Sequence, residues 1–154
     1  MLNQVPFVVG IFSMHESRNL YLDVTIIVAN DKAGAEAIVL NQVKTQMLSP
    51  ENGWVDWRTL GFELFDAVGF EDGKKFQLML YVLGAYKPEG TSTLFTMNAG
   101  ATELTDDLEE SRAKYLDHFR RQYPEVDGWS NHYIKDRVME FNYSYDPLYK
   151  QTLN

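Results

Sequence analysis

The residues with the clearest potential for chemistry are the three histidines, because cysteine is absent from the chain. Without cysteine there is no thiol nucleophile, no thiolate zinc site and no disulfide framework. His118 has Lys114 and Gln122 four residues to either side, which is not a metal-ligand pattern. His132 and Asp136 are also four residues apart, but in a strand this separation is about 13 Å. We therefore expect neither a metal nor a cofactor.

The densest group of carboxylates is Asp106-Asp107-Leu108-Glu109-Glu110, directly after Thr105. Acidic side chains at a helix start complement the exposed amide groups and the positive end of the helix dipole. Threonine and aspartate are also residue types that cap a helix. The group is therefore interpreted as a helix start with Thr105-Asp106 as its cap, rather than as a cation site.

The sequence contains no pattern of a catalytic nucleophile. The glycine-flanked serine of hydrolases and a phosphate-binding glycine loop are missing, and the one Ser-x-x-Lys spacing, at Ser111 and Lys114, stands without the further motifs of that enzyme class. We assign no catalytic residue. The possibility left open is that folding brings together two of the 22 acidic side chains for acid–base chemistry.

Aromatic residues make up 14% of the chain, with three tryptophans and nine tyrosines. Phenylalanines such as Phe7, Phe62 and Phe119 fit the buried side of predicted elements. A second group falls on the more polar side of predicted strands or in the C-terminal tail: Tyr21, Trp57, Tyr81, Tyr133, Tyr143, Tyr145 and Tyr149. Tyrosine and tryptophan are frequent anchors of protein interfaces. We predict a binding face that contains Trp57, Tyr133, Tyr21, Tyr143 and Tyr145 and is rimmed by Asp56 and Asp136, with plain packing as the alternative.

Hydrophobic periodicity predicts the elements that position these side chains. Residues 7–14 and 20–29 predict a hairpin, since Leu22, Val24 and Ile26 alternate with more polar residues. A helix capped by Asn30-Asp31 follows and ends before Ser49-Pro50. Residues 54–65 predict a third strand. The apolar positions of the helix are Val39, Leu40, Val43 and Met47.

The same order of elements then returns. Residues 76–86 and 91–97 predict two strands, residues 105–123 a helix ended by Pro124, and residues 133–143 a third strand. Gly53-Trp54 and Gly128-Trp129 lie 75 positions apart, and the apolar positions of the two helices lie 76 apart. This coincidence favours an internal duplication.

The predicted fold class is α+β, with two tandem ββαβ units over residues 1–68 and 69–154. Each unit would be an antiparallel sheet with one helix packed on one face. We expect the units to pack side by side or to join their sheets at an edge, because one unit alone has too small a core. Both faces of the first strand are apolar, so a second layer must cover it. That layer is expected to be the second unit or a second copy of the chain, which leaves a homodimer open.

Charge and composition bear on function. The net charge of −8, without a stripe of lysine and arginine, argues against nucleic acid as a partner. The start of the chain lacks the basic region of a secretory signal and no apolar run could cross a membrane, so we expect a cytoplasmic protein without membrane contact.

The favoured function is a non-enzymatic protein-binding module that recognises a basic target surface. In composition and size the chain is similar in kind to small acidic inhibitors or immunity-type proteins of phages and bacteria. The alternative is a small enzyme or ligand-binding domain with its site in the cleft between the two units.

Overall fold

The computed structural model describes residues 4–68, 75–87 and 92–142. Within these ranges the chain forms six strands and three α-helices. The strands are β1 (Val5–His15), β2 (Leu20–Ala29), β3 (Trp54–Glu63), β4 (Lys75–Tyr86), β5 (Thr93–Glu103) and β6 (Ser130–Asn142). The helices are α1 (Lys32–Gln46), α2 (Leu64–Ala67) and α3 (Leu108–Arg121), and short 3₁₀ helices at Pro50–Asn52 and Pro124–Gly128 precede β3 and β6. In this described part of the chain, every helix is too short or too polar to cross a bilayer.

The six strands form two antiparallel sheets of three strands with the same internal order. Sheet 1 has the order β2-β1-β3 and sheet 2 the order β5-β4-β6. In each sheet the first strand of the unit is central, and the helix connects the two outer strands, which run parallel to each other. The predicted α+β fold with two ββαβ units is thus confirmed. The 3₁₀ helix before the third strand also recurs, so Gly53-Trp54 and Gly128-Trp129 occupy corresponding places.

Both long helices begin at an aspartate that caps exposed amides. The Asp31 carboxylate accepts a hydrogen bond from the Gly34 amide at 2.6 Å, as predicted. In α3 the cap is Asp107, which accepts from the Glu110 amide at 3.1 Å, so the predicted cap at Thr105-Asp106 was wrong by one residue. Asp106 instead accepts from the Glu103 amide at 3.2 Å, where β5 ends. The two caps are 76 positions apart, the same spacing as the helical apolar sets.

The two sheets stack face to face, and a helix covers the outer face of each. Val8 and Phe12 of β1 pack against Leu78, Leu80 and Val82 of β4 in the central core. The alternate side chains of β1 face α1, and those of β4 face α3. The molecule therefore has four layers, helix, sheet, sheet and helix. The second unit covers the inner face of β1, and the units join through sheet faces rather than through an edge.

Two glycines in the central strands let the sheets approach closely. A Cβ atom at Gly10 would lie 2.8 Å from Met97 Sδ, and one at Gly84 would lie 2.8 Å from Leu22 Cδ2. Leu22 and Met97 are themselves 75 positions apart. A glycine of each central strand therefore meets a side chain at the corresponding position of the other unit. This reciprocity is expected for units related by approximate two-fold symmetry.

Candidate functional site

The position of α1 over sheet 1 leaves part of the sheet uncovered. α1 lies mainly against β3 and β1 and less against β2. Gly61 of β3 makes this placement possible, because a Cβ atom there would lie 3.0 Å from Lys32 Cγ and 3.4 Å from Glu36 Cγ. A larger residue at position 61 would require the Lys32 and Glu36 side chains to shift away from β3. α1 lies closer to β3 than to β2. The consequence is a groove between α1 and β2, which we call the α1 groove.

The α1 groove has an apolar floor and a polar rim. Its volume is about 260 Å³, and its floor is formed by Val9 and Ile11 of β1 with Val39 and Val43 of α1. Both units contribute to the rim, since Arg137 comes from β6. The remaining rim residues are Tyr21, Asp23, Thr25, Gln42, Gln46 and Met47. Met47 was predicted to belong to the helical core, but it follows the last turn of α1 and is 57% exposed.

Tyr21, one of the predicted binding residues, is held at this rim. Its hydroxyl lies 3.5 Å from Asp23 Oδ2 and 3.7 Å from Met47 Sδ, and donates its single hydrogen to one of these two acceptors. Burial and the neighbouring Asp23 carboxylate raise the pKa of Tyr21, so the ring stays neutral at physiological pH. Asp23 in turn accepts from Arg137 Nη2 at 3.0 Å and lies 3.5 Å from Lys135 Nζ. The tyrosine is therefore fixed by an ion-pair group that also links the two units.

Trp57 lies on the same face as Tyr21. Ser13 of β1 is the register partner of Tyr21 on one side and of Trp57 on the other. The backbone positions of the two residues are thus two strand spacings, about 10 Å, apart on the outer face of sheet 1. Lys44 of α1 lies over the Trp57 ring, 4.6 Å from its centre. The structure therefore brings these two predicted residues together, with Trp57 partly shielded by a lysine.

The other predicted aromatic residues are placed elsewhere. Tyr133 of β6 is 47% exposed and borders a separate hollow of about 150 Å³ beside Arg18 and Leu20. Tyr81 is only 2% exposed and stacks on Phe119 with 5.8 Å between ring centres, so its assignment to a surface was wrong. Tyr143, Tyr145 and Tyr149 lie outside the described residues. The predicted set thus does not form a single patch within the described part of the chain.

The two predicted rim carboxylates are both in ion pairs and on different sides of the molecule. Asp56 accepts from Arg58 Nη2 at 2.9 Å and faces the second unit. Asp136 accepts from Arg112 of α3, with 2.9 Å between Oδ1 and Nη2. The hydrogen bonds to Asp136 raise the pKa of Arg112. Both carboxylates are therefore engaged inside the protein, and their role in steering a partner stays a prediction.

A second concave region lies between the units, near the turn that joins β1 and β2. This cleft also has a volume of about 260 Å³, and the described residues of its lining include Arg18, Arg58 and Asp56. We call it the arginine cleft. It shares no lining residue with the α1 groove. In the part of the chain that the structure describes, no three histidine, aspartate or glutamate side chains come together in a group able to hold a metal ion.

Comparison of the chain with protein-family models, curated proteins and solved structures finds no match. Its function is therefore inferred from the geometry of these two concave regions. The sequence contained one signal for the α1 groove that the pattern analysis missed. Gly61 stands inside a predicted strand, and a glycine there often marks the close approach of another element.

Proposed function

We propose that the protein is a binding module for another protein, which inserts an apolar or aromatic side chain into the α1 groove. The observation that carries this proposal is a concave region between α1 and β2 whose base consists of four aliphatic core side chains, each 0–7% exposed, and whose rim is polar. A volume of about 260 Å³ is below the range of about 300–1,000 Å³ typical of small-molecule pockets. An anchoring side chain from a protein surface therefore fits the groove better than a drug-sized ligand does.

The rim supports the same proposal. Tyr21 offers a rigid ring and a hydroxyl, and the exposed Met47 offers a side chain that adapts to different partners. Gln42 and Gln46 offer amide groups for hydrogen bonds at the edge of the contact. Such an arrangement, an apolar centre with a polar border, is usual in protein interfaces.

The net charge of −8 favours a partner with a basic surface, because opposite charge raises the rate of encounter. A small acidic inhibitor or immunity-type protein would work in this way, since it needs a complementary surface and no catalytic groups. We propose a cytoplasmic location, because a chain without cysteine has no disulfide that the reducing conditions there would break.

The proposal is tested by capture of partners from native cell extract with matched baits. Met47→Gln removes an exposed apolar side chain from the groove, whereas Ile38→Gln removes one from a part of α1 outside it; the two residues are 57% and 48% exposed. Thr25→Phe fills the groove from β2 with a residue that favours strands. We expect a partner to be retained by wild type and Ile38→Gln and lost with Thr25→Phe and Met47→Gln.

For any protein that is retained by wild type and Ile38→Gln only, surface-based kinetics then measures the affinity for each bait. A partner bound equally well by all four baits, each with an unchanged circular dichroism spectrum, would contradict the groove as the binding site. Equal loss with Ile38→Gln and Met47→Gln would also contradict it, because it would place the contact on the exposed side of α1.

A further inference from the structure

A contact between the helix and the first edge strand recurs at the same positions in both units. In the first unit the Tyr21 hydroxyl of β2 lies 3.7 Å from Met47 Sδ, just after α1. In the second unit the Thr96 hydroxyl of β5 lies 2.9 Å from the Tyr123 hydroxyl, just after α3. The strand residues are 75 positions apart and the helical residues 76. The spaces between helix and edge strand in the two units can therefore be compared position by position.

In the second unit a tyrosine of the helix occupies this space. Tyr115 of α3 lies on Gly100 of β5, because a Cβ atom at Gly100 would be 3.0 Å from Tyr115 Cε1. The Tyr115 hydroxyl donates to the Ala101 carbonyl at 2.9 Å, on the side of β5 that faces away from β4. The ring stays 36% exposed, so it lies at the border of the sheet. One side chain thus covers the strand and satisfies a backbone acceptor at its edge.

In the first unit the corresponding positions hold smaller side chains on the helix. Val39 corresponds to Tyr115 and Thr25 to Gly100, and both Val39 and Thr25 line the α1 groove. The Thr25 side chain takes part of the space, yet a volume of about 260 Å³ remains. A cavity of about 150 Å³ is sufficient to hold benzene. The α1 groove is therefore large enough for a ring like that of Tyr115.

The charges at the rim of the α1 groove are paired with one another. Asp23 Oδ1 lies 3.0 Å from Arg137 Nη2 and 3.5 Å from Lys135 Nζ. An uncharged group matches such a rim better than a charged one, which would have to leave water without a counter-charge of its own. The apolar base adds a preference for an apolar body. The complementary side chain is therefore neutral, with an apolar ring and a polar tip.

A backbone acceptor for the polar tip lies at the edge of β2. The Val24 amide accepts no partner from β1 but donates to Asp23 Oδ1 at 2.9 Å, so the backbone of Val24 faces the free side of the strand. Ile26, two residues further on, presents its carbonyl to the same side. Ile26 also corresponds to Ala101, whose carbonyl accepts from Tyr115 in the second unit.

We infer that the side chain inserted into the α1 groove is a tyrosine of the partner protein, whose ring packs against Val39 and beside Thr25 and whose hydroxyl donates to the Ile26 carbonyl. The second unit makes the same contacts with its own Tyr115. The inference rests on the proposed function and narrows it, because it requires a partner with an exposed tyrosine. Tyrosine is among the residues that most often anchor protein interfaces.

The first experiment titrates the intact protein with the N-acetyl amides of tyrosine, phenylalanine and leucine and follows amide chemical shifts by NMR. We expect saturable shifts at Thr25, Val39 and their neighbours, with the tightest binding for tyrosine. The phenylalanine amide lacks one neutral hydrogen bond and should bind about two- to tenfold more weakly. The leucine amide also lacks the ring and should bind more weakly still. Equal binding of the tyrosine and leucine amides, or no saturable shift with the tyrosine amide up to about 10 mM, overturns the inference.

The second experiment gives the first unit the ring that the second unit carries. In Val39→Tyr the new ring should fill the α1 groove from within and weaken binding of the tyrosine amide by about tenfold or more. Ile38→Tyr is the matched control, because it places the same ring on the exposed side of α1, where Ile38 is 48% exposed. It should bind the amide like the wild type. Unchanged binding by a folded Val39→Tyr, or equal weakening by Ile38→Tyr, contradicts the inference. Thr25→Phe, which fills the groove from β2, provides the same test if Val39→Tyr does not fold.

The inference and the proposed function fail in different ways. Suppose that a protein is retained by wild type and Ile38→Gln only, while the groove shows no preference for the tyrosine amide. The groove then binds a protein through another side chain, and the inference alone is wrong. Saturable and selective binding of the tyrosine amide, without any captured protein of that pattern, supports the tyrosine site and contradicts the proposed function.

Discussion

Asp23 and Asn98 lie 75 positions apart and make the same local hydrogen bond on equivalent edge strands. The Asp23 side chain accepts from the Val24 amide at 2.9 Å in β2, and the Asn98 side chain accepts from the Ala99 amide at 2.8 Å in β5. In both cases a side-chain oxygen satisfies the amide of the next residue in an edge strand. An amide satisfied in this way is not offered to another chain, which protects the edge against sheet extension.

The two residues differ in charge, and this difference gives a test. Asp23 also pairs with Arg137 and Lys135, whereas the uncharged Asn98 side chain makes the local bond to Ala99. Asp23→Asn should keep the bond to Val24 and lose only the ion pairs, which are partly exposed, at a cost of about 0.5–1 kcal/mol in the free energy of unfolding. Asp23→Ala should cost about 1–2 kcal/mol because it loses both. Urea denaturation measures the two values.

Asn98→Ala is the control, because it removes the local bond without an ion pair. It should cost about 0.5–1.5 kcal/mol and be insensitive to salt. The difference between wild type and Asp23→Asn should shrink in 1 M NaCl, where charges are screened over about 3 Å. Equal losses for Asp23→Asn and Asp23→Ala would show that the local bond adds nothing to stability.

Glycines at the sheet interface give a second prediction. A Cβ at Gly84 would lie 2.8 Å from Leu22 Cδ2 and 2.9 Å from the Phe12 ring, so Gly84→Ala should destabilise the protein by about 1–3 kcal/mol. A Cβ at Gly10 meets the flexible end of Met97 at 2.8 Å and nothing else nearer than 3.5 Å. Gly10→Ala should therefore cost less than Gly84→Ala. Thermal unfolding of both variants shows which of the two substitutions costs more stability.

Gly128→Ala serves as the reference for this series, because no atom lies within 4 Å of a Cβ placed there. Its melting temperature should be close to that of the wild type. If Gly84→Ala is as stable as Gly128→Ala, close approach of the two sheets at Gly84 is contradicted.

Local sequence signals were sufficient to predict the elements of the fold. The alternation through Leu22 and Val24 marked the buried side of β2, and Asp31 marked the start of α1. The stacking of the sheets was not predicted, since an apolar strand shows that both faces are covered but not by what. Gly10 and Gly84 were the available signal, because a glycine inside a central strand points to close approach of another element.

The candidate site was harder to predict from the sequence, because its residues lie on elements that are far apart in the chain. Tyr21 and Trp57 share a face through their common neighbour Ser13, which only the strand register reveals. Asp136 was predicted as a rim carboxylate of the binding face, and its ion pair with Arg112 of α3 was not foreseen because the two residues are far apart in the chain. The α1 groove depends on where α1 lies over the sheet, and residue types alone do not determine that position.

A third prediction concerns alkaline pH. Burial raises the pKa of Tyr81 above its ordinary value of 10.0. Between the unfolded and the folded pKa, the unfolded state has lost the phenol proton and the folded state has kept it, so stability falls as the pH rises. The contribution of the Tyr81 hydroxyl to the free energy of unfolding is complete below pH 10. Above pH 10 it decreases by up to about 1.4 kcal/mol per pH unit. Urea denaturation at several pH values above neutrality measures the slope.

Tyr81→Phe keeps the ring that stacks on Phe119 and removes the titrating hydroxyl, which donates to Met79 Sδ at 3.3 Å. Its stability should decrease less steeply above pH 10 than that of the wild type. Parallel curves for the two proteins would contradict a raised pKa at this position.

The last prediction separates the two aromatic surfaces in partner binding. Tyr21 borders the α1 groove and Trp57 shares its face, whereas Tyr133 borders a different hollow. For a partner that uses the groove, Tyr21→Ala should cost at least about 2 kcal/mol of binding and act mainly on the off-rate, because a buried anchor is lost. Trp57→Ala should have a smaller effect, since Lys44 covers the ring, and Tyr133→Ala none. Tyr21→Phe, which retains the ring, controls for the fold. Loss of affinity with Tyr133→Ala alone would place the partner on the second surface.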